Sequence, residues 1–488
     1  MYSSDQKERF EVEEEPHKRG WFRIKIRYIQ AVLLWFMLIV NLSIRLSFSV
    51  AIVAMTTNGT STERHPNVAY YNWNNTNIIL SSFYWSYAVL QFSSGNVIHF
   101  LGTKKVLFLT TFVNAGTSAL LPLFAANAGS NGVMALRVIQ GIFQAFIFPS
   151  TNAMLGRWMP PQELSFINSV VFSGYHAGVI TSTIITGYLS ASSWGWPSAF
   201  YLFGALGFVW CPIWIFLSAD SPGTHPSITI EERKYIEESL DQQDDHLIKK
   251  KSIPWRAIAC SIPYYALIIA SVGESWCTTF LSTELPNFLN KAVGLSIQDS
   301  GLLTAGPTVG ALLGSFFYSP IAGYTIKKGW ISTVNSRKSF QAYSLFSVGF
   351  GLIGLSYISN TVAITFLLIF ICTASSAVQA GHVINHIDLS PRYTAALSGI
   401  SNGFGQLIAI LAPFLVHYIV VDETDKTSWS YTFILSAIIG ISTTIFFLIF
   451  CSTERQWWDD KDKKRLNKAG TQSSERGITN PGFEDSEK

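Results

Sequence analysis

The fold is decided by residues 137–163, which read RVIQGIFQAFIFPSTNAMLGRWMPPQE. The stretch starts with a cation, Arg137, in an otherwise apolar span and leaves that span through a Trp-x-Pro-Pro motif. A charged side chain at the bilayer centre costs about 2.5 kcal/mol or more on insertion scales, so it usually accompanies a substrate, an ion or a buried partner. Arg137, Gln140 and Gln144 lie at i, i+3 and i+7 and therefore share one helical face. We interpret this face as part of a solute path through a membrane.

The composition is that of a membrane protein. Of the 488 residues, 49% are hydrophobic and only 13% are charged, whereas a soluble protein averages about 25% charged residues. Apolar segments of about 20 residues, each long enough to cross the hydrocarbon core, recur along the chain. The formal net charge of +3 is too small to indicate a nucleic-acid partner. The five cysteines lack the spacing of a metal site or a disulfide framework, so we expect no metal and no cofactor.

Twelve apolar spans can be counted along the chain. The N-terminus is polar and the first span is too long for a signal sequence, so we expect no cleavable signal peptide. The spans predict an all-α membrane protein with twelve transmembrane helices. They lie at residues 28–55, 77–98, 104–126, 132–154, 165–188, 197–218, 259–285, 300–325, 339–358, 361–386, 395–420 and 430–451.

Positive charge is concentrated on one side of this arrangement. Cations precede the first span and occupy the loops after the even-numbered spans, whereas the other loops contain few. The positive-inside rule therefore places both termini in the cytoplasm. The loop after the first span, predicted to lie outside, holds two glycosylation sequons, at Asn58 and Asn74.

A long polar connection divides the spans into two sets of six. It contains Thr229-x-x-Glu232, a capping-box start for a short helix. Two similar halves around a central site is the pattern of many secondary transporters. The polar, charged C-terminal tail is predicted to be disordered. We therefore divide the chain into a cytoplasmic N-terminal tail (1–27), an N-terminal six-helix bundle (28–218), a cytoplasmic linker (219–258), a C-terminal six-helix bundle (259–452) and a disordered cytoplasmic tail (453–488).

Several motifs together resemble those of one transporter family. They are Arg45 with Ser49-Val-Ala-Ile-Val-Ala-Met55, Arg137-x-x-Gln-Gly with the Trp158-x-Pro-Pro exit, Trp196 to Phe200, Asp220-Ser-Pro, Glu232-Arg-Lys-Tyr-Ile, Ile253-Pro-Trp, Ile331-Ser-Thr-Val-Asn-Ser-Arg-Lys338, Asn385-His-Ile-Asp-Leu-Ser-Pro-Arg-Tyr393 and Gly399-Ile-Ser-Asn-Gly403. The chain resembles the major facilitator superfamily and, within it, solute carrier family seventeen, the anion:cation symporters. That family includes sialin, the vesicular glutamate transporters and sodium–phosphate cotransporters. The resemblance covers about residues 28–458 and implies the major facilitator fold, with twelve transmembrane helices in two six-helix bundles.

The chain departs from this family at several positions. The acid and base that the superfamily carries in the loop after the second span are replaced by His99 and Phe100. Where vesicular members carry glutamates proposed to handle protons, this chain has Gln140 and Gln144. A histidine of the vesicular glutamate transporters corresponds to Leu80. The chain therefore looks more similar to the phosphate or organic-anion branch, with sodium as the favoured coupling ion.

Two arginines are the candidates for binding an anion. Arg45 lies about 17 residues into the first span, roughly 25 Å from its cytoplasmic end. Arg137 lies near the outer end of the fourth span, which runs the opposite way, so both side chains reach a similar depth. A guanidinium grips carboxylate or phosphate through a planar fork and stays charged. We expect Arg45 and Arg137 to bind the solute with help from Gln144 and Ser49. The alternative for Arg137 is a side chain that snorkels to the interface.

The seventh and tenth spans carry further candidates. Glu274, with Thr278 one turn later, could bind a hard cation through oxygen ligands or carry a proton. The alternative is a glutamate that pairs with an internal arginine or lies near an interface. His382 and His386 share one face of the tenth span but lack a third metal ligand, which argues against a metal site. His386 is part of the family's Asn-His-x-Asp element, so we interpret it as a gating or packing residue.

These features favour a symporter that moves an anion, first of all inorganic phosphate, together with sodium by alternating access. The alternative is a proton-coupled or facilitated carrier of organic anions in a vesicle or lysosome membrane, which Gln140 and Gln144 disfavour. A receptor on the same fold would predict loss of the buried arginines, and no nucleophile–base set indicates an enzyme. We expect a monomer in the plasma membrane, whose partners are the lipid bilayer and a small anionic solute.

Overall fold

The computed structural model describes residues 25–56, 69–73, 75–240, 253–294, 297–358, 360–420, 422 and 424–459. These residues form α-helices joined by turns, with two short 3₁₀ segments and no strand among them. The predicted glycosylation sites, Asn58 and Asn74, lie outside the described residues.

The described helices make twelve membrane spans, as the sequence predicts. Spans 1 to 6 are Ile26–Thr56, Thr76–Gln91 with Ser94–Leu101, the part of Thr103–Gln144 before Gly129, the rest of that helix with Ile147–Trp158, Pro161–Ala191 and Pro197–Leu217. Spans 7 to 12 are Ile262–Lys291, Ile297–Lys327, Thr333–Tyr357, Thr361–Ser375 with Ser376–Ala380 and His382–Leu389, Thr394–Ala409 with Leu411–Ile419, and Lys426–Phe450. Between spans 6 and 7 lie Pro222–Thr224, Ile230–Ser239 and Trp255–Ala259. By length and composition alone, six described stretches qualify as membrane-crossing, and the other spans are interrupted or rich in polar residues.

Three interruptions lie where the sequence is unfavourable to a continuous helix. Spans 3 and 4 are joined at Gly129, whose φ of 59° suits glycine. Span 4 breaks near Ala145 because Pro149 has no N–H for the carbonyl oxygen four residues earlier. Span 10 stops at Gly381 and starts again at His382. The last break matters for the site, because it leaves a new helix N-terminus inside the protein.

The spans pack as two halves of six. In the first half, span 1 packs on span 5 and span 3 on span 6; in the second, span 7 packs on spans 11 and 12, and span 9 on span 12. The halves meet where span 5 packs on span 8 and where spans 2 and 4 pack on span 11. Stacked Trp210 and Trp214 belong to the core of the first half, and Phe288, Trp429 and Phe433 to that of the second. A cleft between the halves is therefore the natural place for a solute.

The halves are in close contact at the face where span 1 begins and span 12 ends, which we call the terminal face. Spans 2 and 11 cross there so closely that a Cβ on Gly95 would lie 2.4 Å from the Cα of Ala396. Gly399 packs against Ser94 in the same crossing. Helices in lipid associate mainly through such van der Waals contact between small residues. The terminal end of the cleft is therefore closed.

Polar contacts reinforce this closure. Arg337, at the start of span 9, donates from Nε to Asp388 Oδ2 at 2.7 Å and from Nη1 to Ser165 Oγ at 3.2 Å. Ser165 is in span 5, so the second bond joins the two halves. Nearby, the side-chain amide of Asn168 donates to the carbonyl oxygen of Gln379 at 3.3 Å. Separation of the halves at the terminal face would break both bonds.

The linker helix is anchored to the first span. Thr229 Oγ1 accepts from the Glu232 amide at 3.2 Å, which confirms the predicted helix start. The Glu232 carboxylate does not close a box with Thr229; it accepts from the backbone amides of Ile26 at 3.0 Å and Arg27 at 3.2 Å. The Arg27 side chain also bonds Glu163, with 2.9 Å between Nη2 and Oε1. Glu232 thus satisfies two otherwise unpaired amides of span 1 and favourably meets its helix dipole.

The start of the C-terminal tail differs from the prediction. We expected disorder from residue 453, but residues 453–459 pack on the terminal face. Ser390 Oγ donates to Asp459 Oδ1 at 2.7 Å, and the buried Trp458 ring lies 6.1 Å from that of Tyr393. Although most of the segment is polar, it contains the large apolar side chain of Trp458. Burial of this indole orders the chain up to Asp459. The rest of the tail lies outside the described residues.

Candidate substrate cavity

A cavity of about 620 Å³ lies between the two halves. Spans 1, 2, 4 and 5 form one wall, and spans 7, 10 and 11 form the other. It extends away from the terminal face to Ser81, near the start of span 2, and Thr283, near the end of span 7. Its polar lining includes Arg45, Tyr84, Tyr87, Asn152, Tyr175 and His176 from the first half, and Glu274, Thr278, Gln379, His382, His386 and Asn402 from the second.

Arg45 is the cation of the cavity wall. Its guanidinium carbon lies 4.6 Å from the ring centre of Phe83 and 5.0 Å from those of Tyr84 and Tyr87. It forms no salt bridge with a described carboxylate, and its buried Nε has no hydrogen-bond partner in the part of the chain that the structure describes. Aromatic faces stabilise a cation only partly, by about 0.5–2 kcal/mol each. The side chain is therefore held in place by aromatic rings, and no described carboxylate neutralises its charge.

Arg137 lies behind this wall and not in it. Its Nη1 donates to the backbone carbonyl of Arg45 at 3.2 Å and to Gln140 Oε1 at 3.1 Å. Its guanidinium carbon is 4.9 Å from the same Phe83 ring that Arg45 contacts. The structure thus brings the two predicted arginines together, but only Arg45 reaches the cavity. Arg137 fixes the backbone of Arg45 and adds a second positive charge close to the wall.

The two other predicted anion-binding residues are placed differently. Gln144 is buried, and its side-chain amide donates to the Asn41 carbonyl of span 1 at 3.1 Å. Ser49 is exposed, and neither residue belongs to the cavity lining. The polar face of span 4 is therefore covered by span 1 instead of by a solute path. Helical periodicity correctly grouped Arg137, Gln140 and Gln144, but it did not identify the neighbour that covers them.

Glu274 and Thr278 lie in the opposite wall, on span 7. The Glu274 side chain is 31% exposed, and its Oε2 lies 3.7 Å from Nε2 of His382, whose side chain is only 2% exposed. Hydroxyl groups of Ser271, Ser275 and Thr278 line the same wall. One of the sequence alternatives paired Glu274 with an internal arginine, but its partner in the structure is a histidine. The wall that faces Arg45 therefore carries a carboxylate, an imidazole and several oxygen ligands.

His386 lies deeper, toward the terminal face. Its Nδ1 is 3.1 Å from the Val383 carbonyl oxygen, whereas its buried Nε2 has no hydrogen-bond partner within the described ranges. Two other groups of the lining, Asn152 Oδ1 and Gln379 Oε1, are also buried and have no hydrogen-bond partner among the described residues. Unpaired buried polar groups are costly, so they commonly serve a ligand or water. A ligand or water would therefore satisfy these three buried polar groups of the lining.

Several residues of the site have no role in the sequence prediction. Tyr84 and Tyr87 had no assigned role, although two phenols at i and i+3 in a membrane span share one face, and this signal could have found them. Gln341 in span 9 was also missed; its side chain contacts His382. Its only sequence signal is a polar amide in an otherwise apolar span, which many helix contacts also produce.

A family model matches most of the chain. It is the model of the Major Facilitator Superfamily, and it matches residues 37–413. Among solved structures, that of a major facilitator superfamily transporter, FucP, in the outward conformation superimposes with a TM-score of 0.61 at 12% identity. The match covers 86% of this chain and 99% of that one. At this identity the likeness concerns the fold alone.

Relatives of two kinds match at higher identity. A "Putative inorganic phosphate cotransporter" of Drosophila ananassae is 34% identical over 408 residues, which cover 83% of each chain. Vesicular glutamate transporter 1 of Xenopus laevis is 31% identical over 477 residues, or 94% of this chain and 81% of the relative. Vesicular glutamate transporter 2 of Homo sapiens is 31% identical over 463 residues, or 92% and 78%.

The fold, the central cavity and these matches define an integral membrane protein of the major facilitator class of transporters. Within that superfamily the chain belongs to solute carrier family seventeen, the family of the phosphate cotransporters and vesicular glutamate transporters.

Proposed function

We propose that this protein is a symporter that moves a small anion through the central cavity by alternating access, with inorganic phosphate as the first candidate substrate. The observation that carries the proposal is Arg45: a cation in the wall of a cavity between two halves, without a carboxylate partner among the described residues. Retaining such a charge within a membrane is costly. An anionic solute would neutralise it, and the guanidinium fork suits phosphate as well as carboxylate.

The direction of opening follows from charge placement. The positive-inside rule assigns the terminal face to the cytoplasm, so the cavity of this conformation would open to the outside. An anion would then reach Arg45 from outside, and opening of the terminal face would release it into the cytoplasm. We favour the plasma membrane as the location and a monomer as the working unit.

The coupling cation is the second part of the proposal. Departures from the vesicular branch at Gln140 and Gln144 favoured sodium, and the oxygen-rich wall around Glu274 and Thr278 is compatible with a hard cation. The same glutamate lies beside His382, which favours a proton. Sodium and proton coupling make opposite predictions in a transport assay with imposed gradients.

A carrier of organic anions is the second candidate. It is favoured by the cavity volume, about 620 Å³, which lies in the usual range of sites for molecules larger than phosphate. The vesicular glutamate transporters among the relatives support it as well. In that case the location would be a vesicle or lysosome membrane.

The test is uptake of radiolabelled phosphate by proteoliposomes under an imposed sodium or pH gradient. Arg45→Ala should abolish uptake, and Arg45→Lys should retain only part of it, because an ammonium keeps the charge without the planar fork. Arg233→Ala, which alters a partly exposed arginine of the linker helix that pairs with Glu237, is the matched control and should transport normally. Undiminished uptake by folded Arg45→Ala protein would refute the proposed anion site. Competition by glutamate, with no phosphate uptake, would favour the organic-anion carrier.

A further inference from the structure

We propose that Glu274 and His382, oriented by Gln341, bind one exchangeable proton and are the site through which the transporter takes up its coupling ion. The proposal rests on the proposed function and specifies its cation. It gives roles to His382 and Gln341, for which the predicted site has none.

The break in span 10 leaves a backbone N–H, which can only donate a hydrogen bond. Because the helix starts again at His382, the amide N–H of this residue has no carbonyl partner within the helix. Gln341 Oε1 accepts it at 3.2 Å. Gly381 makes this approach possible, since a Cβ there would lie 2.7 Å from Gln341 Oε1. The contact therefore depends on three elements: the break, the glycine and the amide of span 9.

This contact determines the tautomer of His382. A backbone N–H can only donate, so the side-chain atom of Gln341 that receives it must be the oxygen. The same oxygen lies 2.9 Å from His382 Nδ1. An amide oxygen can only accept, so Nδ1 must carry a hydrogen. The neutral imidazole therefore directs the lone pair of Nε2 toward Glu274.

One added proton therefore favours the pairing of Nε2 with Glu274. With neither atom protonated, a lone pair would face a carboxylate oxygen at 3.7 Å, which is repulsive. A proton on Nε2 gives an ion pair, and a proton on Glu274 gives a neutral pair. In both forms the imidazole and carboxyl together hold one proton more than in the unprotonated pair. The distance of 3.7 Å between Nε2 and Oε2 is longer than a hydrogen bond, so it does not distinguish the ion pair from the neutral pair.

Exposure defines how the proton enters. Glu274 is 31% exposed toward the cavity, whereas His382 lies behind it at 2%. A hydronium ion in the cavity would donate to the Glu274 carboxylate and leave as water, and the proton could then be shared with Nε2. Release reverses these steps when the cavity opens on the other side. No other reactant is required.

The surrounding charges couple this proton to the anion. Arg45 is the cation of the opposite wall and disfavours a further positive charge in the cavity. An anion bound to Arg45 would cancel that field and thereby favour protonation of the pair; by linkage, the proton favours the anion to the same degree. Spans 8, 9 and 12 contribute no described ionisable group to the lining. The remaining ionisable groups that line the cavity are Tyr84 and Tyr87 of span 2, Tyr175 and His176 of span 5, and His386 of span 10.

The first test measures the proton directly and needs no substrate. Infrared difference spectra of the purified protein between acidic and alkaline buffer should contain carboxyl and imidazole bands from the pair. Glu274→Gln should remove the carboxyl component, and His382→Gln should shift it. Glu238→Gln, which changes an exposed glutamate paired with Lys234 on the linker helix, should leave the component from Glu274 in place. A Glu274→Gln spectrum identical to that of the wild type would overturn the proposal.

The second test links the proton to transport. Wild-type proteoliposomes should accumulate radiolabelled phosphate under an inward pH gradient. Glu274→Gln should lose this accumulation but keep phosphate–phosphate exchange, because exchange moves no net proton. Accumulation driven by sodium alone, or full pH-driven accumulation by Glu274→Gln, would refute the coupling role. If the wild type transports no phosphate, the proposed substrate fails, while the infrared result still decides whether the pair binds a proton.

Discussion

The bond between Arg337 and Ser165 allows a quantitative test of alternating access. It joins span 9 to span 5 across the closed terminal face, with 3.2 Å between Nη1 and Oγ. Both residues are buried. Ser165→Ala removes this bond and leaves the rest of the terminal face intact. If the bond exists only while this face is closed, its loss must raise the population in which the face is open.

The contacts that Arg337 keeps in Ser165→Ala determine how much the population open at the terminal face should rise. A hydrogen bond to a charged group contributes about 1.5–3 kcal/mol. In Ser165→Ala, Arg337 still has Asp388 at 2.7 Å and the Ala380 carbonyl at 3.3 Å, so its charge is not left unpaired and the lower figure applies. Since about 1.4 kcal/mol corresponds to a factor of ten, we expect the population open at the terminal face to rise about tenfold.

Cysteine labelling from the terminal face measures this population. Ser398→Cys, in a background in which the exposed Cys260 is replaced by serine, reports openings, because Ser398 lines the cavity. A membrane-impermeant maleimide added at the terminal face reaches it only when that face opens. The labelling rate should therefore rise about tenfold in Ser165→Ala.

The matched control is Ser173→Ala in the same span. Ser173 Oγ accepts from Trp35 Nε1 at 3.0 Å, a contact within the first half. Its loss should lower stability without favouring either conformation. Equal labelling rates in the two alanine variants would refute the role assigned to Ser165.

Two further predictions concern packing and the linker helix. Gly95→Ala should weaken closure of the terminal face and raise the labelling rate of Ser398→Cys, because the added Cβ would lie 2.4 Å from the Cα of Ala396. Gly187→Ala is the control: no atom lies within 4 Å of its added Cβ, so the labelling rate should not change. Glu232→Gln should lower the free energy of unfolding by about 2 kcal/mol, because it weakens charge-assisted bonds to two backbone amides and to Arg27. Thermal unfolding in detergent should show the loss in Glu232→Gln but not in the exposed Glu231→Gln, and equal melting temperatures would contradict the capping role.

The candidate site was only partly predictable. Arg45 and Glu274 could be recognised because an ionisable residue within an apolar span stands out, whatever its neighbours. The role of Arg137 could not be predicted, because Arg137 and Arg45 lie at similar depths in the membrane. Only the packing of span 1 on span 4 shows that Arg45 lines the cavity and that Arg137 lies behind it. The Glu274–His382–Gln341 arrangement unites three spans far apart in the sequence. No local pattern relates them.

The order of amino acids was enough to predict the twelve spans, their division into two sets of six and the start of the linker helix. These features are predictable because each crossing of a bilayer needs about 20 apolar residues whose backbone hydrogen bonds are satisfied within the segment. Hydropathy and capping residues therefore identify the helices. Helix packing, in contrast, establishes which polar faces border the cavity, which end of the cavity is closed and which nitrogen of His382 faces Gln341. Those outcomes depend on contacts between distant helices, such as Gly95 with Ala396 and His382 with Gln341. In lipid such contacts arise from close fit and directional hydrogen bonds, which the periodicity of a single helix does not encode.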